Sequence, residues 1–214
     1  MGVITRKEKE REIRRKDIID AAEKVFFAKG FDNATMDDVA KEAEFSKRTV
    51  YVYFRSKEQL YFQIMLRAYK LLNSMVEKAI KKNCPKTGIA KIKLLGEILV
   101  AFNNNYTEYF KAIMDYENGD MDFENNDDKL LQECYDEGEK LFNFLKDALD
   151  EGIKEGTILE SIDVVNTALV LWASIVGVLN TSKKKEKYLI HYHNKKPSEL
   201  VDEAFKFLLR SIEK

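Results

Sequence analysis

The stretch TMDDVAKEAEFSKRTVYVYFRSKEQL, residues 35–60, contains three predicted helix starts. Thr35, Ser46 and Ser56 can each cap a helix, because a hydroxyl oxygen accepts hydrogen bonds from the free N–H groups of the first turn. Gln59 follows Ser56 by three residues, which predicts a capping box. Apolar residues then recur at three- and four-residue steps. The pattern predicts two short helices joined by a tight turn, the outline of a helix-turn-helix, followed by a third helix.

Helical periodicity continues on both sides of this stretch. A first helix is predicted from about Ile13 to Lys29, where Gly30 supplies the stop, and the helix that Ser56 begins runs to about Lys82. The acidic ENGDMDFENNDD is predicted to be a loop, and EGTILESID a tight link. Further helices are predicted at about Ile89–Asn104, Thr107–Tyr116, Asp128–Glu155, Ile162–Thr181 and Ser198–Ile212.

The composition agrees with an all-α fold. The 214 residues are 45% hydrophobic and include only 2 Pro and 9 Gly, which favours long uninterrupted helices. Cys84 and Cys134 lie far apart without C-x-x-C spacing, and no apolar signal segment begins the chain, so a reduced cytoplasmic protein is expected. The most apolar segment, Val164–Leu179, is interrupted by polar side chains, so no membrane span is expected.

Charge is distributed unevenly along the chain, although the net charge is only −1. Arg6–Lys16 contains seven basic and three acidic residues, 7 − 3 = +4, whereas Asp115–Asp128 contains seven acidic residues and no basic one. The basic segment is expected either to follow a DNA backbone or minor groove or to be a disordered solubilising tail. For the acidic segment a solvated loop is favoured over a site for a cationic effector or a metal.

The order basic segment, helix, T-x-x-x-V-A-x-x-A and S-x-x-T-V-Y-x-Y-F-x-S-K-E-x-L resembles the TetR family of bacterial transcriptional regulators. The resemblance covers about residues 16–65; beyond residue 66 only the helical character and the final apolar helix pair agree. It implies a three-helix DNA-binding domain over residues 1–55 and a larger helical ligand-binding and dimerisation domain over residues 56–214. In two departures, Glu44 and Arg48 occupy positions where the family commonly has Gly and a small residue. We therefore expect a different backbone solution for the turn and an additional base-reading side chain.

Three residues at the start of the second short helix are candidates for reading bases. In a helix-turn-helix this helix enters the major groove. Lys47 and Arg48 can donate hydrogen bonds to guanine O6 and N7, and Thr49 can contact a base edge or a thymine methyl. A solvated helix face is the alternative for two adjacent basic residues, but the motif favours DNA contact. Val50 and Phe54 are assigned to the core.

Five further residues are candidates for phosphate contact. Tyr51 and Tyr53 can place hydroxyls on phosphates while their rings pack on the domain, and core packing is an equal alternative for Tyr53. Thr35, Ser46 and Lys57 lie at predicted helix starts, where free N–H groups and the helix dipole favour an anion. Capping and phosphate contact can coexist at the two hydroxyl residues. For the lysine the alternative is a surface side chain without a role.

The resemblance also implies a small-molecule effector and a homodimer. Effector binding would change the spacing of two DNA-binding heads, with the first helix and the Ser56–Lys82 helix transmitting the change. The last two helices are apolar over most of their surface, so a second subunit is expected to cover them. Aromatic and methionine side chains suit an apolar pocket, although ordinary core packing explains each of them as well. The candidates are Phe102, Tyr106, Phe110, Met114, Phe142, Leu145, Leu169 and Trp172.

Other kinds of site are disfavoured. His191 and His193 have no companion ligand nearby in the sequence, so no metal or other cofactor is expected. An exposed connector between the terminal helices is expected at the lysines Lys183, Lys184, Lys185, Lys187, Lys195 and Lys196. No phosphate-binding loop or G-x-S-x-G motif is present, so an enzyme is not expected. The sequence predicts a regulator; a repressor that a small and largely apolar molecule releases from a palindromic operator is favoured, and an activator is also open. The alternative is a helical protein-interaction module without regulated DNA binding.

Overall fold

The computed structural model describes residues 5–117 and 129–214, with the side chains of residues 115–117 left out of the description. The predicted acidic loop lies outside the described side chains. The possible site for a cationic effector or a metal at residues 115–128 lies outside them as well. Within the described residues all regular structure is helical, which confirms the all-α prediction. The ten helices are α1 Arg6–Lys29, α2 Met36–Glu42, α3 Lys47–Tyr53, α4 Lys57–Asn83, α5 Gly88–Asn105, α6 Thr107–Glu117, α7 Lys129–Lys154, α8 Val164–Lys184, α9 Glu186–His193 and α10 Pro197–Arg210.

The first helix begins earlier than predicted, at Arg6. Thr5 caps it: the Thr5 hydroxyl accepts a hydrogen bond from the Glu8 backbone N–H at 3.2 Å, and the Glu8 carboxylate accepts one from the Thr5 N–H at 2.7 Å. Arg6 also pairs with Glu10 at 3.0 Å, one turn further along. The basic segment Arg6–Lys16 is therefore helical, and its interpretation as a disordered tail is wrong.

A second correction concerns the lysine-rich segment near the C-terminus. Lys195 and Lys196 do lie in the exposed link between α9 and α10, as predicted, but α8 continues to Lys184 and α9 occupies Glu186–His193. Lysine and glutamate are good helix formers, and Tyr188 and Tyr192 stack at i, i+4 with ring centroids 5.3 Å apart. Asn194, with a φ of 49°, ends the helix in the left-handed conformation.

The chain forms two compact units. The first comprises Met1–Tyr69 with Lys111–Tyr135, and the second comprises Lys70–Phe110 with Asp136–Lys214. The division falls within α4, α6 and α7. A boundary between the DNA-binding and effector domains at residues 55 and 56 stays a prediction.

The first unit is built around the apolar face of α1. Ile18 is fully buried, as are Val39 of α2 and Val50 of α3, which confirms the assignment of Val50 to the core. Phe54 is buried as well. Arg67 of α4 pairs with two carboxylates of α1, Asp20 at 2.6 Å and Glu23 at 3.2 Å. These ion pairs hold α4 against α1.

The second unit depends on close helix approaches. A Cβ atom at Gly88 of α5 would lie 2.2 Å from the Ala148 carbonyl oxygen of α7, and one at Gly96 would lie 2.1 Å from the Phe205 ring of α10. Only glycine allows the α5 and α7 backbones to approach so closely at Gly88, and a side chain at Gly96 would require the Phe205 ring to move.

Helix α8 packs mainly on α10 and also on α5. By length and composition it is the one helix of the described residues that could cross a membrane, so polar interruptions alone do not exclude a span. Leu171, Ile175 and Leu179 are nevertheless buried, as in the core helix of a packed domain. Its other face, which includes Val165 and Leu169, is exposed in the single chain.

Candidate DNA-binding site

The start of α2 is held by a capping box. The Thr35 hydroxyl accepts a hydrogen bond from the Asp38 N–H at 3.1 Å, and the Asp38 carboxylate accepts one from the Thr35 N–H at 3.1 Å. Lys29, at the end of α1, pairs with Asp38 at 2.6 Å. The hydrogen bond from Lys29, and after it that from Thr35, lowers the pKa of the Asp38 carboxyl to about 2. This carboxylate therefore ties the end of α1 to the start of α2.

The turn between α2 and α3 uses the left-handed conformation at Glu44, whose φ is 56°. The Phe45 N–H donates to the Ala40 carbonyl at 3.0 Å, the six-to-one hydrogen bond of a Schellman turn. Such a turn favours Gly, because a side chain is strained at positive φ. The expectation of a different backbone solution is therefore wrong: Glu44 itself adopts the strained conformation.

Helix α3 presents one exposed face. Ser46 caps the helix by accepting a hydrogen bond from the Thr49 N–H at 3.1 Å, and the two hydroxyls lie 2.8 Å apart, which leaves Thr49 half-buried. Lys47 and Arg48 are exposed. Tyr51, one turn after Lys47, is exposed on the same face, whereas Tyr53 is half-buried. The exposed face is polar and hydroxyl-bearing, as contact with bases and phosphates requires.

Val52 belongs to this face but was missed by the sequence reasoning. It is 68% exposed, a large fraction for a valine in a helix whose Val50 is fully buried. Its position four residues after Arg48 was the available signal, because residues four apart share a helix face. An exposed methyl pair beside an arginine suits a thymine methyl beside a guanine.

Lys47 is paired within the protein. Its ammonium lies 2.8 Å from the Asp37 carboxylate of α2, and both side chains are exposed. The hydrogen bond with Asp37 raises the pKa of the Lys47 ammonium. An exposed pair of this kind is weak, so Lys47 can exchange Asp37 for another acceptor at small cost. Arg48 makes no ion pair with any residue in the described part of the chain.

Lys57 has a structural role that neither interpretation of the sequence anticipated. Its ammonium donates to the carbonyl oxygens of Phe31 at 2.9 Å, Asp32 at 3.3 Å and Ala34 at 3.4 Å, and lies 4.4 Å from the centre of the Phe31 ring. A lysine has three N–H donors, so these carbonyls match its full capacity. The alternative of a surface lysine without a role is wrong, and phosphate contact by Lys57 stays a prediction.

The start of α4 differs slightly from the predicted capping box. Ser56 Oγ lies 3.4 Å from the Gln59 backbone nitrogen, but the Gln59 side chain accepts from the N–H of Arg55 at 2.9 Å. The turn that follows α3 is thus closed by Gln59. Three residues, 54–56, separate the end of α3 from the start of α4.

Two capped short helices, the second with an exposed basic face, define a helix-turn-helix DNA-binding protein. Residues 18–64 match the family model described as bacterial regulatory proteins, tetR family. This end of the chain is therefore similar to TetR-family transcriptional regulators, and the relatives named below are regulators and not enzymes.

Individual relatives agree with this assignment. The chain is 27% identical over 174 residues to the uncharacterized HTH-type transcriptional regulator YhgD of Bacillus subtilis, covering 78% of this chain and 82% of that protein. It is 37% identical over 59 residues to IcaR of Staphylococcus aureus, a negative transcriptional regulator of a biofilm operon, covering 28% of this chain and 32% of IcaR. The ketosteroid transcriptional regulator KstR2 of Mycobacterium tuberculosis shares the fold, with a TM-score of 0.66 at 15% identity over 94% of this chain and 95% of that one.

The second unit contains a cavity of about 40 Å³ with an apolar lining. Two of the predicted pocket residues, Leu145 and Trp172, line it. The other lining residues were not predicted; they are Ile92, Leu95, Gly96, Leu99, Leu171, Ile175, Phe205, Leu208 and Leu209. The remaining six candidates lie elsewhere: Phe102, Phe110 and Met114 are buried, Phe142 is half-buried, and Tyr106 and Leu169 are exposed.

The paired histidines lie on α9. The His193 ring packs against Tyr188, with centroids 5.0 Å apart, and the His191 ring packs against Tyr192 at 4.9 Å. Within residues 5–117 and 129–214, no group of three His, Cys, Asp or Glu side chains is placed to hold a metal ion.

Proposed function

We propose that this protein is a homodimeric repressor that binds a palindromic operator through α3 and leaves it when a small, largely apolar molecule binds the second unit. The observation that carries the proposal is the exposed face of α3, which consists of Lys47, Arg48, Tyr51 and Val52. The Ser46 cap fixes the start of this helix, and Gln59 closes the turn that follows it. Repression is supported by IcaR, a negative transcriptional regulator that is 37% identical to this chain over 59 residues.

Each residue on this face has a distinct role in the proposal. Arg48 donates two hydrogen bonds to a guanine, and Val52 contacts the methyl group of a neighbouring thymine. Lys47 exchanges Asp37 for a base or phosphate acceptor. Tyr51 donates its hydroxyl to a phosphate, which positions the helix without selecting a sequence. Thr35 and Ser46 hold their helix starts, where the free N–H groups also favour a phosphate.

The second copy covers the exposed face of α8. Val165, Leu169 and Val170 are each about half exposed or more, and Phe207 of α10 is 73% exposed. Exposed apolar side chains grouped on one helix face in this way mark an interaction surface. Two-fold symmetry allows the same face to cover itself, and two heads on one axis read the two halves of a palindrome.

The effector would occupy the apolar cavity of the second unit. At about 40 Å³ the cavity is smaller than a typical ligand site, so the proposal requires it to expand on binding. A ligand that binds only the expanded state shifts the population toward it. Helix α4 begins directly after the DNA-binding motif and continues into the second unit, so it can carry the change.

The DNA-binding part of the proposal is tested by in vitro selection on the purified protein, followed by gel-shift titration of the recovered fragment. We expect two inverted half-sites, whose spacing reports the dimer. Absence of binding at low salt to the selected pool would defeat the proposal.

The effector part is tested with the intrinsic fluorescence of Trp172, the one tryptophan in the chain, which lines the cavity. Small apolar compounds are screened for a rise in melting temperature, since a ligand of the folded state stabilises it. A true effector should change the Trp172 emission and lower operator affinity at the same concentrations. Leu171→Phe, which fills the cavity, should abolish both responses, whereas Val178→Phe on the same helix should not. Compounds that stabilise both variants equally would place the effector elsewhere.

A further inference from the structure

The first three turns of α1 extend beyond the core of the first unit. Burial begins at Ile18, whereas residues 6–17 are exposed except for Arg15, which is half-buried. Twelve residues at 1.5 Å each give a helical segment about 18 Å long. The capping box at Thr5 and the pair between Arg6 and Glu10 stabilise it without a core beneath it.

The basic residues of this segment are concentrated on one face. Lys7, Arg11, Arg14 and Arg15 lie within about 100° of the helix circumference at 3.6 residues per turn. That arc is the one that carries the buried Ile18 and its apolar neighbours Ala22 and Val25 further along α1. This one face of α1 is therefore basic over residues 6–17, which lie beyond the core, and apolar from Ile18 onward, where the helix covers the core.

This basic face leads to the recognition helix. The guanidinium carbon of Arg15 lies 5.4 Å from the centre of the ring of Phe54, the residue that caps the C-terminus of α3. Arg15 also lies 3.6 Å from Glu12. Arg15 therefore anchors the basic face beside the end of α3.

The other three side chains of this face are unpaired. In the part of the chain that the structure describes, Lys7, Arg11 and Arg14 make no ion pair or side-chain hydrogen bond. The nearby Glu8 and Glu12 are occupied, by the Thr5 cap and by Arg15. Three unpaired cations on one face of a rigid helix require an anionic partner or bulk water.

We propose that the basic face of α1, formed by Lys7, Arg11 and Arg14, binds the sugar-phosphate backbone that flanks the bases read by α3. The inference rests on the proposed operator binding and extends it to a second contact surface. DNA fits this face by charge, because a duplex carries one phosphate for about every 1.7 Å of its axis. The contact is independent of sequence, so it contributes affinity and register and leaves base preference to α3.

The experiment compares two triple variants that remove the same charge. The test variant carries Lys7→Gln, Arg11→Gln and Arg14→Gln; the control carries Arg6→Gln, Lys9→Gln and Lys16→Gln on the opposite side of the helix. Operator affinity is measured for each against salt concentration. Each lost phosphate contact lowers the slope of log K against log salt by about 0.9, so the test variant should lose about 2.7 per subunit. At physiological salt its dissociation constant should rise more than tenfold, with the operator-to-scrambled ratio unchanged.

Hydroxyl-radical footprinting on a fragment with long flanks gives an independent measurement. The wild type and the control should protect backbone beyond the half-sites, and the test variant should lose that outer protection. Circular dichroism should show equal helix content in all three proteins. Equal salt slopes for the wild type and the test variant, or equal losses in both triple variants, would overturn the inference while leaving operator binding intact. A wild type that fails to bind the selected operator would instead defeat the proposed function.

Discussion

Helices α3 and α8 both expose apolar side chains to solvent, but the neighbouring side chains are charged and polar on α3 and uncharged on α8. On α3 a single exposed valine, Val52, lies among basic and hydroxyl side chains. On α8 the exposed Val165, Leu169 and Val170 follow one another along a face without charge. The first surface is stable in water and suited to a hydrated polyanion that must be released. The second gains free energy only when another apolar surface covers it, which suits a permanent contact.

The two helices are also held differently. Helix α3 is seven residues long, shorter than a helix that is stable alone, so it depends on its Ser46 cap and on the buried Val50. Helix α8 is 21 residues long and is held by a buried stripe against α10. Changes on α3 should therefore affect DNA binding, whereas changes on α8 should affect assembly.

The largest effect is expected from Leu169→Glu on α8. In the proposed dimer, two-fold symmetry would place the new carboxylate twice in the apolar interface formed by α8, and an unpaired buried charge costs several kcal/mol. The dimer dissociation constant should rise at least about 100-fold, measured by light scattering across a concentration series. Ile13→Glu is the control, since Ile13 is 60% exposed on α1. If the Leu169→Glu variant remained a dimer, α8 would not be the interface. The exposed apolar face of α8 would then have no assigned role in assembly.

The next effect is expected from Arg48→Ala on α3. Loss of a bidentate contact to guanine costs about 1–3 kcal/mol, so operator affinity should fall roughly 10- to 100-fold. On an operator in which the contacted guanine is replaced, wild type and Arg48→Ala should bind with equal affinity, because the arginine then has no guanine to contact. Lys41→Ala, an exposed lysine of α2, serves as the control in the same gel-shift titrations. Equal losses on all sequences would make Arg48 a phosphate contact.

A smaller effect on operator affinity is expected from Val52, which we propose contacts DNA, unlike the exposed apolar residues of α8. Replacing the contacted thymine by deoxyuracil removes one methyl group, which is worth about 1 kcal/mol, or roughly fivefold in affinity. Wild-type protein should lose this affinity, whereas Val52→Ala should bind both operators equally. If the two proteins respond alike to deoxyuracil, Val52 does not contact the methyl group.

Acid should weaken the DNA-binding unit through Asp38. The pKa of this carboxyl is lowered to about 2 by Lys29 and Thr35, so the unfolded chain takes up the proton at higher pH than the folded one. Its contribution to stability is present above the ordinary aspartate pKa and is lost as the pH falls toward 2. Thermal melts at pH 7 and pH 3 should therefore differ less for Asp38→Asn than for the wild type. Glu42→Gln, at the exposed pair with Lys24, is the control; an equal acid response in all three proteins would contradict the role of Asp38.

The smallest effect is expected at the turn before α3. Glu44→Gly relieves a side chain at positive φ but gives the unfolded chain more freedom, so we expect stabilisation of no more than about 1 kcal/mol. Ala43→Gly is the matched control, because Ala43 has an ordinary φ of −76° and should be destabilised by about the same amount. Destabilisation by both changes, measured by urea unfolding, would show that Glu44 is not strained.

The sequence was most informative where structure depends on neighbours along the chain. The caps at Thr35 and Ser46 and the ends of most helices lie within a few residues of their predicted places. The failures have local causes too: the sequence analysis does not use Thr5 as a cap, and it interprets the lysines before α9 as an exposed connector despite their helix propensity. The cavity lining was mostly missed, because its walls come from four helices far apart in the sequence.

The sequence by itself determined the helix starts, the apolar stripes and the helix-turn-helix, since hydrogen bonds and periodicity within a few residues specify them. Only the tertiary structure decided what those side chains meet. It gave Lys57 the carbonyls of a loop 23 to 26 residues earlier, paired Lys47 with Asp37 and left Val52 exposed. It also aligned the basic face of α1 with the end of α3 through Arg15 and Phe54. Such contacts depend on how helices pack in space, and the pattern of any one helix does not contain that information.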